Sequence, residues 1–252
     1  MNWKLGDKFA IVIVGDEFTH GESNEENGPW VARQLVARGF KVELCLQMGD
    51  DPETISYWLS TISQSSINHI VICGGIGGTH DDHTREAVAR ALNSSLVMHP
   101  ECMRILENKY ADRLNDQRRR MAYLPNGCKL IYNDQGAPGF SVANLTVLPG
   151  FPRMVKKMLN DIISRLDLPY QNHVTLQATF ENMTEGDIAV EVEEFNHKWR
   201  SKIQSLGIYP DAREGVRAVT LKLRSCYTKA DDIEEHFKRL VNSLGGKLEP
   251  HS

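Results

Sequence analysis

Two short apolar runs rich in β-branched residues, Phe9-Ala-Ile-Val-Ile-Val14 and His69-Ile-Val-Ile-Cys73, constrain this chain more than any other feature. Neither alternates polar with apolar, so each reads as a strand buried on both faces. The segment after each run sets the fold class. After the first, Trp30, Val31, Leu35 and Val36 recur at helical spacing from Pro29, and Gly39 stands where a left-handed cap would end the helix. Phe40 to Leu46 alternates as a second strand, and Asp51-Pro52 offers an N-cap and first-turn proline to a helix carrying Ile55, Trp58, Leu59 and Ile62. After the third strand, Thr84 to Leu92 has helical composition and spacing. Strand–helix alternation of this kind predicts an α/β fold, a three-layer αβα domain around a mostly parallel sheet.

Farther along, Pro100 to Arg120 reads as a charged helical stretch, followed by short strands near Lys129–Tyr132 and Leu145–Leu148 and a helix from Pro149-Gly150-Phe151-Pro152 to about Leu166. Leu168-Pro169 is expected to separate a domain of residues 1–168 from one of residues 169–252, because proline disfavours continuation of the helix before it. Beyond it, a strand at Val174–Phe180, a helix from Gly186 to about Leu206, a strand at Val216–Arg224 and a helix from Asp231 to Leu244 predict a small β-α-β-α unit of α+β type.

Composition narrows the partners. The chain of 252 residues carries a net charge of −4 and no dense basic patch, which excludes the electrostatic footprint of a nucleic-acid binder. No segment reaches the roughly 18 consecutive apolar residues of a membrane span. The opening Met1-Asn2-Trp3-Lys4-Leu5-Gly6-Asp7 lacks the apolar core of a secretory signal. The five cysteines, Cys45, Cys73, Cys102, Cys128 and Cys226, are odd in number and include no Cys-x-x-Cys, so neither a disulfide framework nor a structural zinc site is indicated. A cytoplasmic setting, without membrane or nucleic acid, is the expectation.

Ligands of parallel sheets bind beyond the carboxyl ends of the strands. There the third strand runs into Gly74-Gly75-Ile76-Gly77-Gly78-Thr79, a turn in which backbone N–H groups can approach a phosphate closely. The ordinary alternative is a tight strand-to-helix turn, although four glycines exceed what turning needs. Asp81 and Asp82 follow, hard oxygen ligands suited to a divalent ion that also touches phosphate. Asp82 would otherwise cap the helix beginning near Thr84, and the flanking His80 and His83 find no further ligands at metal-site spacing. Asp16 and Glu17 end the first strand, Glu25, Glu26 and Asn27 precede its helix, and Asp50-Asp51 precedes the next. Each has an ordinary reading as a turn or cap, but together they occupy successive loops on one edge. Asn133 to Phe140 and Leu148 to Pro152 are turn-rich segments that by themselves carry no chemistry.

Taken in order, these segments resemble the molybdopterin-binding-domain superfamily, and within it the competence/damage-inducible (CinA-type) N-terminal domain, which is related to the FAD-hydrolase-like domain of eukaryotic FAD synthases. The family's Gly-Gly-x-Gly-Pro-Thr-x-Asp-Asp-x-Thr is similar to Gly74 through Thr84, and its Gly-[Ser/Asp]-Glu to Gly15-Asp16-Glu17. Its Asn-x-x-Gly-x-Ala-Pro-Gly resembles Asn133 to Gly139 with one residue fewer, and its Leu-Pro-Gly-x-Pro-x-x-Met resembles Leu148 to Met154. Ile208-Tyr209-Pro210 looks like part of the family's small appended domain. Gly78 stands where proline is usual, which is expected to loosen the turn, and Glu25-Glu26-Asn27 stands where Asn-Thr-Asn or Asp-x-Asn is common. No counterpart of the deamidase domain carried by many members is expected.

The resemblance implies a divalent-metal-dependent pyrophosphatase acting on nucleotides of the ADP-ribose or FAD type, with Mg²⁺, Co²⁺ or Mn²⁺ as cofactor. Asp81, Asp82, Asp16 and Glu17 would be catalytic, and Asp81 and Asp82 the metal ligands. Gly74, Gly75, Gly77, Gly78, Thr79, Asn27, Asn133, Gly136, Pro149 and Gly150 would bind the phosphate or the rest of the ligand. The alternatives are non-hydrolytic binding of molybdopterin during molybdenum-cofactor assembly and a catalytically silent nucleotide-binding module. A homo-oligomer, dimer or trimer, is expected.

Overall fold

The computed structural model describes residues 1–166, 168, 173–211, 213, 215–226 and 230–249. The chain forms two compact units, Met1–Pro169 and Tyr170–Ser252. Pro169, at the expected boundary, lies outside the described residues.

The first unit contains strands β1 (Lys8–Val14), β2 (Lys41–Met48), β3 (His69–Cys73), β4 (Leu96–Met98), β5 (Tyr123–Pro125), β6 (Lys129–Ile131), β7 (Gly139–Val142) and β8 (Leu145–Leu148). Its helices are α1 (Asp16–Thr19), α2 (Asn27–Val36), α3 (Pro52–Ser63), α4 (Thr84–Ala91), α5 (Pro100–Tyr110), α6 (Asp116–Arg120) and α7 (Pro152–Ser164). The central sheet has the order β2-β1-β3-β8-β7-β6. β1 runs parallel to both β2 and β3, and β3 parallel to β8, while β7 and β6 complete the sheet as antiparallel strands. The chain therefore leaves β1 toward one side and returns with β3 on the other, which places the topological switch point between their carboxyl ends.

The apolar runs behave as their composition dictates. Ala10, Val12 and Val14 of β1 and Ile70 and Ile72 of β3 point into one core with Ile55 and Leu59 of α3, Val88 of α4 and Leu106 of α5. Phe9, Ile11 and Ile13, with Val71 and Cys73, point into a second core with Val31 and Leu35 of α2 and Val155, Leu159 and Ile162 of α7. The period of two in the strands thus fills both faces of the sheet and yields the three-layer αβα architecture.

Two predicted helices are shorter than their composition suggests. The charged stretch from Pro100 does not continue to Arg120: α5 stops at Tyr110, Ala111 takes φ +44°, and a 3₁₀ turn precedes α6. Asn115 then restarts the helix, its Oδ1 accepting from the Arg118 N–H at 3.0 Å. The helix expected from Gly186 to about Leu206 ends at Trp199, and Ile203–Pro210 forms a strand.

That strand changes the second unit from β-α-β-α to β9 (His173–Glu181), α8 (Glu185–Trp199), β10 (Ile203–Pro210), β11 (Ala218–Cys226), α9 (Ala230–Ser243) and β12 (Lys247–Leu248). All pairs are antiparallel in the order β10-β11-β9-β12, a split β-α-β arrangement with helices packed on one face. Leu176, Phe180, Ile188, Leu221 and Phe237 build its separate core. Gly207 and Pro210 are poor helix residues, and their pairing with β11 decides for strand.

Phe140 is fully buried where β7 joins the sheet to the α3–α5 layer. Phe140→Ala is expected to cost about 3–5 kcal/mol, read as a fall in the urea midpoint at unchanged slope.

Candidate functional site

At the carboxyl edge of the sheet the chain passes closely over itself. Gly74 takes φ +110°, its N–H donates to the Leu148 carbonyl at 3.1 Å, and a Cβ there would collide with the Val14 carbonyl oxygen. Gly75, at φ +65°, lies against the buried Thr84, whose hydroxyl a side chain would strike. Only glycine meets both demands. Gly78 serves a different close approach: a Cβ there would run into the Gln117 carbonyl oxygen, so this residue lets α6 lie against the turn.

Asp82 occupies the inside of the turn. Its Oδ1 accepts from the Gly77 N–H at 2.6 Å, and its Oδ2 from the Thr79 N–H at 2.8 Å and from the Thr79 hydroxyl. The expected capping role falls away, because His83 is the N-cap of α4 and makes no side-chain capping bond. Behind Asp82 sits Arg85, 3% exposed, donating to the carbonyls of Ile76 at 3.2 Å and Asp82 at 3.5 Å. Burial lowers the Arg85 pKa, while the adjacent Asp82 opposes that shift. The buried guanidinium thus ties the Ile76 and Asp82 carbonyls together beneath the glycine turn.

Asp81, by contrast, is exposed and makes a long ion pair with His80 at 3.9 Å. The Thr79 hydroxyl and its own backbone N–H hold the Asp81 carboxyl below its ordinary value. Asp16 and Asp50 clasp each other's loops reciprocally, each side chain accepting the other's backbone N–H at 3.0 Å. Burial pushes the Asp50 carboxyl up, the Asp16 N–H partly offsets this, and the charges of Asp16, Asp81 and Glu17 add to the rise.

A cavity of about 900 Å³ gathers these loops. Of the predicted site residues, Glu17, Asn27, Gly74, Gly75, Gly77, Gly78, Thr79, Asp81, Asp82, Gly136, Pro149 and Gly150 line it. Asp16 and Asn133 do not. Asn133 instead organises its own turn, accepting from the Gln135 N–H at 2.9 Å and donating to the Ala137 carbonyl at 3.3 Å. Asn27 is 2% exposed and donates to the Gly150 carbonyl at 2.7 Å, while its Oδ1 is buried without a partner. Glu25 accepts the Gly28 N–H at 2.9 Å and so caps the start of α2.

Sequence reasoning missed several lining residues. Asp50 was legible as an acid on a strand-to-helix loop, though it reads first as a neighbour of the true cap Asp51, which accepts from Thr54 N–H at 2.7 Å. Tyr110 and Arg118 line the cavity from α5 and α6, with the guanidinium 4.7 Å from the ring centroid. No local pattern marks them. Phe151 lines the cavity as well.

The geometry defines an open α/β ligand-binding domain with its cavity at the switch point. A family model described as "Probable molybdopterin binding domain" matches residues 10–168, and the chain belongs to that family. It is 32% identical over 220 residues to a protein of Pyrococcus abyssi, covering 80% of this chain and 87% of that one. A Saccharolobus islandicus protein is 28% identical over 245 residues, covering 93% and 92%. Among solved structures, the protein CinA of Thermoplasma acidophilum, described as of unknown function, is 28% identical with a TM-score of 0.59, covering 63% of this chain and 97% of that one. Among the described residues no helix is long and apolar enough to cross a membrane.

Two outcomes are expected from this geometry. Gly74→Ala should destabilise the fold by at least about 1–3 kcal/mol, since it combines a left-handed backbone with a collision at Val14; chemical denaturation measures it. For Asp50, a folded pKa above the unfolded one contributes stability that is complete below the unfolded value of about 4 and is lost as pH rises through the folded value. Asp50→Asn, which keeps an acceptor for the Asp16 N–H, should therefore gain stability relative to the parent as pH rises above about 4. Equal stability differences at every pH would show that Asp50 carries no such penalty.

Proposed function

We propose that the first unit binds a phosphate-bearing nucleotide or pterin together with a divalent cation, Mg²⁺, Mn²⁺ or Co²⁺, and hydrolyses the diphosphate of a nucleotide of the ADP-ribose or FAD type. One observation carries this reading. The cavity around the glycine turn is lined by Glu17, Glu26, Asp50, Asp81 and Asp82 but, among the described residues, by one cationic side chain, Arg118. An anionic ligand entering alone would meet net repulsion, whereas one entering with a divalent cation would not.

The donor set fits a cation shared with the ligand. Among the described residues no three His, Cys, Asp or Glu side chains gather to hold an ion unaided. Mg²⁺ commonly takes one or two carboxylates, several waters and substrate phosphates, and needs no such cage. Asp81, exposed and ionised, is the carboxylate most available to it, with Glu17 and Asp50 on the neighbouring loops. Both Asp82 oxygens already accept hydrogen bonds within the turn, which suits Asp82 to shaping the phosphate subsite. When bound, the cation would neutralise charge on the diphosphate oxygens. The chain's own residues orient the diphosphate against the glycine turn and hold an attacking water among the carboxylates. Water adds to one phosphorus as the bridging P–O bond breaks, giving two phosphate monoesters.

Non-hydrolytic binding of a pterin is the second reading, supported by the family to which the chain belongs. The two part in a single assay. ADP-ribose and FAD are incubated with Mg²⁺, Mn²⁺ or Co²⁺, and binding of molybdopterin is measured in parallel. Metal-dependent release of monophosphates is expected, and Asp81→Asn should reduce it about a hundredfold or more with the fold intact. Saturable pterin binding without turnover under any metal would select the second reading, and saturable nucleotide binding without turnover would mark a silent module.

A further inference from the structure

Among the described residues Phe151 is the most exposed of the large apolar side chains, 69% accessible, and yet it lies in the wall of the cavity. It is also the N-cap of α7, where it makes no side-chain capping bond. Serine, threonine or aspartate there would satisfy a free N–H of the helix, and a small polar residue would avoid leaving an aromatic ring in water. Stability therefore accounts for neither feature of this residue.

The backbone that carries Phe151 is held rigidly. Pro149 and Pro152 flank it in the sequence and restrict φ on either side. The preceding Gly150 has its carbonyl anchored by the buried Asn27 Nδ2 at 2.7 Å, and a Cβ on it would stand 3.5 Å from the Gly74 Cα. The ring is thus mounted on a fixed turn packed directly against the glycine turn. A ligand whose phosphate lies against the glycines has its remaining portion within reach of this ring.

We propose that Phe151 is a stacking platform for the planar nitrogen heterocycle of the ligand, a purine or a pterin, and sets the preference of the site for ligands that carry one. This inference rests on the proposed binding of a phosphate-bearing ligand at the cavity and is independent of whether hydrolysis follows. Stacking on an aromatic face tolerates many ring systems, because every base presents a π-face. It also needs no charge on the ring, which matters in a cavity whose charged lining residues are mainly acidic.

The test compares ligands with and without a ring. Affinities of ADP-ribose, a pterin monophosphate and inorganic pyrophosphate are measured by calorimetry in the presence of Mg²⁺ for the full chain and for Phe151→Ala, Phe151→Leu and Phe151→Trp. Because the side chain is exposed, all three variants are expected to fold, and circular dichroism with thermal unfolding checks this. Phe151→Ala and Phe151→Leu should weaken the ring-bearing ligands about tenfold or more, Phe151→Trp should retain them, and pyrophosphate should be unaffected. Selective loss of ADP-ribose or of the pterin identifies which heterocycle the platform serves. Equal loss of pyrophosphate and ring-bearing ligands, or full retention in Phe151→Leu, overturns the platform while leaving phosphate binding in place. Failure of the parent chain to bind any of the three overturns both the platform and the site on which it rests.

Discussion

The backbone of Gly74 lies against the ends of β1 and β8, and the site depends on that crossing. Its N–H is bonded to Leu148, any side chain would strike the Val14 carbonyl, and a Cβ on Gly150 would come into contact with its Cα. Three loops that are distant in sequence are thereby held at one level above the sheet. Asn27 ties the third loop to the start of α2 through the Gly150 carbonyl, so the walls on both sides of the switch point share one anchor. This rigidity comes from strands buried on both faces, whose ends have little freedom to shift without disturbing two cores at once.

Charge is divided unevenly over this frame. The Asp82 carboxylate accepts from two backbone N–H groups and the Thr79 hydroxyl, so both of its oxygens are engaged in shaping the turn. Asp50 has fewer compensating partners and feels Asp16, Asp81 and Glu17 as well as its own burial. Adjacent carboxylates in the sequence therefore have opposite environments: Asp82 is built into the fold, whereas Asp81 is exposed at the cavity. The distinction depends on which oxygens already accept hydrogen bonds, a property invisible in the dipeptide itself.

Much of the first unit was legible because its signals are local and redundant. β1 and β3 announce themselves as unbroken apolar runs, and α3 carries both a capping aspartate and a first-turn proline. β10 gave no such announcement. It comes after α8 and a brief turn, and its Ile203 and Leu206 continue the helical spacing from Trp199; pairing with β11 settles the matter. β7 was hidden for a different reason, since Gly139 and Phe140 come after the turn residues Ala137-Pro138 and become a strand by pairing with β8. α5 and α6 share a charged composition that conceals the break at Ala111, where only the backbone conformation reveals the end of a helix.

The sequence by itself determined the parallel α/β architecture, the edge at which the cavity opens and the glycine and acidic residues gathered there, because period, turn chemistry and chain order suffice for those. Tertiary structure alone decided that Asp82 turns inward onto the Gly77 and Thr79 N–H groups, that Asp16 and Asn133 brace loops without lining the cavity, and that Tyr110, Arg118 and Phe151 complete its walls. Those outcomes depend on distances between elements far apart in the chain, and on the orientation of side chains whose local sequence is compatible with several. Hydrogen-bond geometry and close packing select one of them, and neither is encoded in any single segment.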